Sequence, residues 1–317
     1  MGRRKHLRRP VVERELFRMR RLLEGREFES EEELDAFLKE ATQKLNRGEE
    51  LPLPEGTPAD RAQELIYEAW QMENPQKRVR LAREALKAFP DCADAYVILA
   101  EDAARSIEEA RDLYAEGVRA GERALGPDFM KENAGHFWGD LRTRGYMRAR
   151  QGLYQCLWEL GDKEEAVRHC EEMLRLNPND NQGVRYHLAA YLLETRQLGK
   201  LDKLFRTYKE ESTFWDYTRA LFYFMRQEGK KAQRMLSRAL EANPFVPAYL
   251  LGARSLPDEM PGLYSLGSEE EAVIYVGTYG VCWLREAEAV LWLAATVAEK
   301  LAEWAEKTGP SGPARYR

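Results

Sequence analysis

The sequence predicts an all-α fold: helical hairpins repeated and stacked side by side into a right-handed solenoid, with capping helices at both ends. Three observations lead to it. The strings LAREALKAFPD (81–91), HCEEMLRLNPND (169–180) and MLSRALEANPFV (235–246) each carry apolar residues three and four apart and close on a proline. That is an amphipathic helix brought to a stop, since proline has no N–H with which to continue the helix. Each is preceded by a second periodic stretch and a short turn. In LYQCLWELGDKEEAVRHCEEML, Leu153, Leu157 and Leu160 form one stripe, Gly161-Asp162 turns the chain, and Ala166, Cys170 and Met173 continue it. Finally, Pro178 and Pro244 stand about two periods of ~34 residues apart, the spacing of a helix-pair array. A single hairpin leaves its apolar stripe uncovered, so the array is the folding unit.

The elements follow in order. Residues 1–9 read as a basic flexible tail and 10–50 as two capping helices, VVERELFRMRRLLEG and SEEELDAFLKEATQKLNRG. Ser30 with Glu33 makes a capping-box start for the second, and Gly48 a stop. LPLPEGTP (51–58) is a linker. The array fills 59–245 as hairpins at about 59–90, 92–126, 146–179, 181–212 and 214–245, with a splice inserted at 127–145. Gly161 and Gly229 are expected to turn their hairpins in the left-handed conformation, and Ala166 and Ala232 to let paired helices approach. Residues 246–307 form a C-terminal cap. Its first part, VPAYLLGARSLPDEMPGLYSLG, is too rich in proline and glycine for a helix. Helices are then expected from Ser268 to about residue 279 and over 287–307, with a disordered tail at 308–317.

Composition narrows the function classes. The 317 residues are 44% hydrophobic and 32% charged, with a formal net charge of −5. An acidic balance argues against a general nucleic-acid binder, although MGRRKHLRRP keeps a nucleic-acid-associated factor as an alternative. No run of eighteen apolar residues occurs, so no membrane span is expected. The basic N-terminus has no apolar stretch behind it and is not a secretory signal, which points to the cytoplasm. Cys92, Cys156, Cys170 and Cys282 show no paired spacing. Cys156, His169 and Cys170 could be read as metal ligands, but both cysteines lie on apolar stripes, where a thiol packs as a small hydrophobe. No metal or other cofactor is expected.

The least regular stretch is GHFWGDLRTRGYMRAR (135–150). A catalytic reading takes His136 as general base with Asp140 one helical turn away, but finds no serine or cysteine nucleophile beside them and no phosphate-cradling glycine loop. An enzyme is therefore the second alternative, and the expectation is no catalysis. The structural reading makes the stretch a splice between hairpins. Phe137 and Trp138 plug the gap, Gly135 and Gly139 permit close backbone contact, and the arginines, Arg142 and Arg144 among them, tie exposed carbonyls at helix ends; His136 and Tyr146 belong to the same splice.

The repeat resembles the tetratricopeptide family. Ala166 and Ala232 match its helix-two alanine, and Pro90, Pro178 and Pro244 its closing proline; helix one keeps the family's pattern loosely. Longer strings carry a closer resemblance. RAQELIYEAWQ, PDCADAYVILAEDA, GHFWGDLRTRGYMRARQGL, LNPNDNQGVRYHL and NPFVPAYLLGARSLP are similar to a bacterial branch of tetratricopeptide proteins related to the suppressor of tumorigenicity 7 family. The link to that family rests chiefly on the run NPFVPAYLL (243–251). Gly145 stands where relatives tend to have proline, which should loosen the start of the following helix. The resemblance implies an interaction role without catalytic residues. By its register, Arg148, Gln151 and Gln155 face the concave groove, and Arg185 and Tyr217 take comparable places in the next two hairpins. Arginine pairs in a fork with carboxylate, so the expected partner is another protein or peptide with an acidic or C-terminal segment. The lysine and asparagine of chaperone-tail clamps are missing; Gln151 and Gln155 stand there instead.

Overall fold

The computed structural model describes residues 11–24, 26–47, 49 and 53–308. The predicted basic tail, Gly48 and residues 309–317 lie outside them. Among the described residues the fold is all-α, with no strand. The chain divides into two compact units, one ending at Asn181 and the other beginning at Gln182.

The N-terminal unit opens with α1 (Val11–Leu23) and α2 (Glu31–Asn46). Ser30 caps α2 by accepting the Glu33 N–H at 3.2 Å, while the Glu33 carboxylate reaches past it to the Glu29 N–H at 2.8 Å. Two hairpins follow, α3 (Pro58–Gln71) with α4 (Pro75–Ala88) and α5 (Ala93–Asp102) with α6 (Ile107–Leu125). A reciprocal capping box of Thr57 and Asp60 starts α3, and the Asn74 side chain caps α4. Small side chains let these helices close on one another: Ala62, Ala69, Ala82, Ala85 and Ala95 are all buried with Ile66 and Ile98. Arg78 ties α4 to the end of α5, gripping Asp102 with two bonds of 2.6 Å and donating to the carbonyls of Met72 and Glu73.

The splice is short turns rather than one helix: α7 (Pro127–Glu132), then 3-10 turns at Phe137–Gly139 and Leu141–Thr143. Beyond it α8 (Arg144–Leu160) pairs with α9 (Lys163–Leu176). Gly161 turns that hairpin at φ +93°, a conformation costly for any side chain. Helices α6 and α8 lie close along a seam of aromatic rings opposite glycines. A Cβ on Gly152 would stand 2.2 Å from the Tyr114 ring and one on Gly121 2.8 Å from Tyr146, while one on Gly117 would meet the small Ala149 side chain at 3.0 Å.

The C-terminal unit holds two more hairpins, α10 (Val184–Glu194) with α11 (Leu198–Thr207) and α12 (Thr213–Met225) with α13 (Gly229–Ala242). Here the turn chemistry departs from expectation. Gly229 is the first residue of α13, and the left-handed residue is Gln227 at φ +59°, matched by Arg196 at φ +55°. Both hairpins therefore carry a non-glycine residue where Gly161 stands in the other unit. Of the dense aromatics on α12, Phe214, Trp215, Tyr217 and Phe222 are buried, and Tyr223 and Phe224 half-buried.

The cap contains one helix that its composition argues against. Val246–Leu250 forms α14, because Pro247 sits in the first turn, where its missing N–H costs nothing. Then α15 (Glu269–Leu284) packs on α10, α12 and α14, and α16 (Ala287–Thr308) on α14 and α15. Asn243 joins the last repeat helix to the cap. Its side chain donates to the Ser268 carbonyl at 2.8 Å and the Glu271 carboxylate at 3.0 Å, and accepts the Phe245 N–H at 3.0 Å. Glu271, fully buried, also takes Thr213 and the Gly267 N–H at 2.8 Å each, all on Oε2; its Oε1 has no hydrogen-bond partner. None of the helices described is long and apolar enough to cross a membrane.

Candidate peptide-binding face

The first helices of the three N-terminal hairpins, α3, α5 and α8, present polar side chains to one another, and α1 reaches across them. Arg148 of α8 is at the centre. Its guanidinium grips Asp94 of α5 in a fork, Nε to Oδ1 at 2.7 Å and Nη2 to Oδ2 at 2.6 Å. The same group donates to both oxygens of Glu13 on α1, at 3.0 and 3.2 Å. Arg144, one turn earlier, adds a bond to Glu13 at 3.0 Å. From α3, the Tyr67 hydroxyl donates to Glu13 and Gln63 to Asp94, at 3.3 Å each, while the Trp70 ring lies 4.8 Å from the Arg148 guanidinium carbon.

Two arginines thus hold two carboxylates where almost no water reaches; the Arg148 side chain is 6% exposed. Burial alone would push the Glu13 carboxyl up. Arg148 and Arg144 outweigh it and hold the group below the usual carboxylate range. Burial likewise opposes the charge on Arg148, and Asp94 with Glu13 more than restores it. Around this centre α1 makes further contacts: the buried Phe17 ring packs tilted against Tyr67 with centroids 5.3 Å apart, Arg14 pairs with Glu64, and Arg20 with Asp60.

Gly145 has a role opposite to loosening. A Cβ there would stand 3.1 Å from the Asp94 side chain and 3.3 Å from Ala93, so glycine lets the start of α8 press against α5. Its absence of side chain positions Arg148 for the fork on Asp94.

The other groove residues fall elsewhere. Gln151 and Gln155 are half-buried on α8. Arg185 belongs to the C-terminal unit, where it pairs with Glu210 at 2.9 Å and lies over the Tyr186 ring. Tyr217 is fully buried in that unit and donates to the Asn243 carbonyl at 2.7 Å, so it offers no surface to a partner. Arg148 itself is committed to Asp94 and Glu13 rather than open to solvent.

In the splice, Phe137 is fully buried and meets Phe129 and Tyr146 at 6.3 and 6.0 Å. Trp138 is half-buried; its carbonyl accepts from Arg144 at 3.3 Å, and the Arg144 guanidinium lies over its ring. Nothing crowds Gly135 or Gly139, so close backbone contact does not explain them; Gly135 has φ +97°, which does explain a glycine. His136 is exposed, and both oxygens of Asp140 are taken by the Arg142 guanidinium, Oδ1 at 3.1 Å and Oδ2 at 2.6 Å. Burial would raise the Asp140 pKa, but Arg142 wins and lowers it. All four cysteines are free and buried, and burial pushes the Cys92 thiol up to about 12. His169 is driven down to about 4, chiefly by burial.

Nothing local in the sequence marks Glu13, Asp94 or Tyr67 as site residues. The run Val11 to Leu23 alternates charge and apolar residues as any solvated cap does, and no local signal separates Glu13 from Glu15.

A stack of helical hairpins with a further helix fastened across its first helices defines a class of repeat-type, all-α protein. The chain belongs to the ST7 protein family, whose profile matches residues 53–225. It is 27% identical over 247 residues to the suppressor of tumorigenicity 7 protein-like of Rattus norvegicus, covering 70% of this chain and 44% of that protein. With the Homo sapiens counterpart it shares 26% over 247 residues, covering 70% of this chain and 42% of that protein. The suppressor of tumorigenicity 7 protein of Macaca fascicularis is 25% identical over 272 residues, 71% of this chain and 50% of that one. The chain spans about half the length of the curated relatives it matches.

Proposed function

We propose that the chain is a non-catalytic, tetratricopeptide-like scaffold in the cytoplasm that binds an acidic helical segment of another protein on the face formed by α3, α5 and α8. The observation that carries this reading is the arginine pair Arg144 and Arg148, which captures the carboxylate of a helix that bridges α3 and α8. In this chain that helix is α1, and Glu13 fills the place of the partner's acidic residue. Phe17 against Tyr67 supplies the apolar half of the same recognition. A helix presenting Glu and Phe four residues apart would satisfy both. Asp140 is engaged by Arg142 rather than by His136, which supports a reading without catalysis. The proposed site then works by exchange: a partner helix replaces α1 at the arginines.

The test compares affinity capture from native cells by the intact chain and by a Glu13→Gln/Phe17→Ala variant, each with and without a synthetic peptide of residues 11–24. The variant should capture proteins that the intact chain holds weakly, and the peptide should release them. Identical profiles from the two chains, or captured proteins indifferent to the peptide, would refute the reading.

A further inference from the structure

The C-terminal unit contains a cavity of about 410 Å³ bounded by α11, α12 and α13, within the size range of small-molecule sites. Its charge is unusual for a chain of net charge −5. Six cationic side chains line it, Arg206, Arg219, Arg226, Lys231, Arg234 and Arg238, against the two carboxylates Asp202 and Glu228. Asp202 pairs with Arg206, and Glu228 is shared by Arg226 at 2.6 Å and Lys231 at 2.5 Å. Arg238 leans away to Glu211 at 3.2 Å and Asp216 at 3.3 Å. Even with those two carboxylates counted, two positive charges are left over.

Arg219 and Arg234 are the two without a carboxylate within ion-pair distance among the described residues. Arg219 is half-buried and held in place by neutral groups: it donates to the carbonyls of Glu210 at 3.2 Å and Phe205 at 3.4 Å and lies over the Phe205 ring at 5.2 Å. Burial disfavours its charge and outweighs the Asp216 and Glu210 carboxylates that favour it from beyond ion-pair distance, while Arg238 nearby adds to the effect of burial. A guanidinium fixed in position with no carboxylate bound to it directly loses little side-chain freedom when an anion arrives. Arg234 is exposed at the same cavity.

We infer that this cavity binds a dianionic phosphoryl group, with Arg219 and Arg234 as its principal ligands. Charge density selects phosphate over carboxylate. A phosphoryl group places about two negative charges on one centre, whereas two carboxylates need two side chains and the space between them. Arginine forks also match phosphate oxygens in pairs. The phosphoryl group has two possible sources, a small phosphorylated metabolite or a phosphorylated side chain of a protein, and the cavity chemistry is common to both. This site is separate from the face of α3, α5 and α8, and neither proposal depends on the other.

Titration calorimetry on the full chain at about 0.15 M ionic strength tests it. The probes are inorganic pyrophosphate and a phosphoserine-containing pentapeptide, with the unphosphorylated pentapeptide as control. Saturable binding of pyrophosphate is expected, and Arg234→Ala, an exposed change that leaves the fold alone, should weaken it roughly tenfold. Arg219→Ala should weaken it at least as much. Arg83→Ala/Lys87→Ala removes two charges from the surface of α4 in the other unit and should change affinity by less than about twofold. Tighter binding of the phosphopeptide than of pyrophosphate identifies a protein source, and the reverse a metabolite. No saturable heat with either probe overturns the inference, as does an equal loss in the Arg83/Lys87 variant.

Discussion

The two ends of the chain are fastened to their neighbouring hairpins by opposite chemistries. At the N-terminal end, α1 is joined to α8 through full charges, Glu13 against Arg148 and Arg144, with Asp94 completing a balanced set. At the C-terminal end, a buried carboxylate also sits at the junction, but Glu271 meets only neutral donors: Thr213, Asn243 and the Gly267 N–H. The N-terminal set is close to self-neutralising, so its members depend on one another across long stretches of sequence. The C-terminal set has no cation to lose, and its strength is spread over separate hydrogen bonds. Removing Arg148, which serves both carboxylates, should therefore be catastrophic in the first place, whereas losing a single donor should be gradual in the second.

Arg148→Ala tests the stronger half of that contrast. It strands Asp94 and Glu13 in a nearly dry site, and breaking a buried pair in this way costs about 3–5 kcal/mol. Urea denaturation followed by circular dichroism should show that loss; a change of less than about 1 kcal/mol would mean that water relieves the site.

Asn243→Ala should cost less, about 1–3 kcal/mol, because Ser268 and Glu271 each lose a donor while Thr213 and Gly267 remain. The damage should also be local. Limited proteolysis is expected to speed up within residues 251–266 ahead of global unfolding, and equal protection of that segment in both chains would contradict it.

Glu13→Gln has the smallest effect at neutral pH, about 1 kcal/mol, since Asp94 still neutralises Arg148. Its signature is the pH profile. The folded-state pKa of Glu13 lies below its ordinary 4.5, so the stabilisation it gives is fully present above that value and disappears as pH falls through the folded pKa. Thermal melts between about pH 3 and 6 should show an acid loss in the parent chain that the variant lacks. Parallel profiles would place the acid-sensitive group elsewhere.

Much of the fold was legible because its signals are local. Apolar residues three and four apart mark each repeat helix, and Pro90, Pro178 and Pro244 follow the ends of α4, α9 and α13. The hairpin turns were less legible: Gly229 drew attention as a glycine, although Gln227 and Arg196 take the strained backbone. Tertiary packing overrides the local preference there. The candidate face was legible only in part. Periodicity placed Arg148 on the first-helix side but could not name its counter-charges, which lie 54 and 135 residues away. Tyr217 shows the opposite error, since a tyrosine at a groove register turned out to serve the core through its hydroxyl. Gly145 was misread for a related reason, because what a missing side chain makes room for is a neighbour distant in sequence.

The seam between α6 and α8 has an implication for how such a chain can change over time. Tyr114 fills the notch at Gly152, and Tyr146 the notch at Gly121. Neither member of such a couple is free to vary by itself: bulk gained on the glycine side has to be matched by bulk given up across the seam. Descent should therefore transmit these positions as couples, large facing small, with the order within a couple open to reversal.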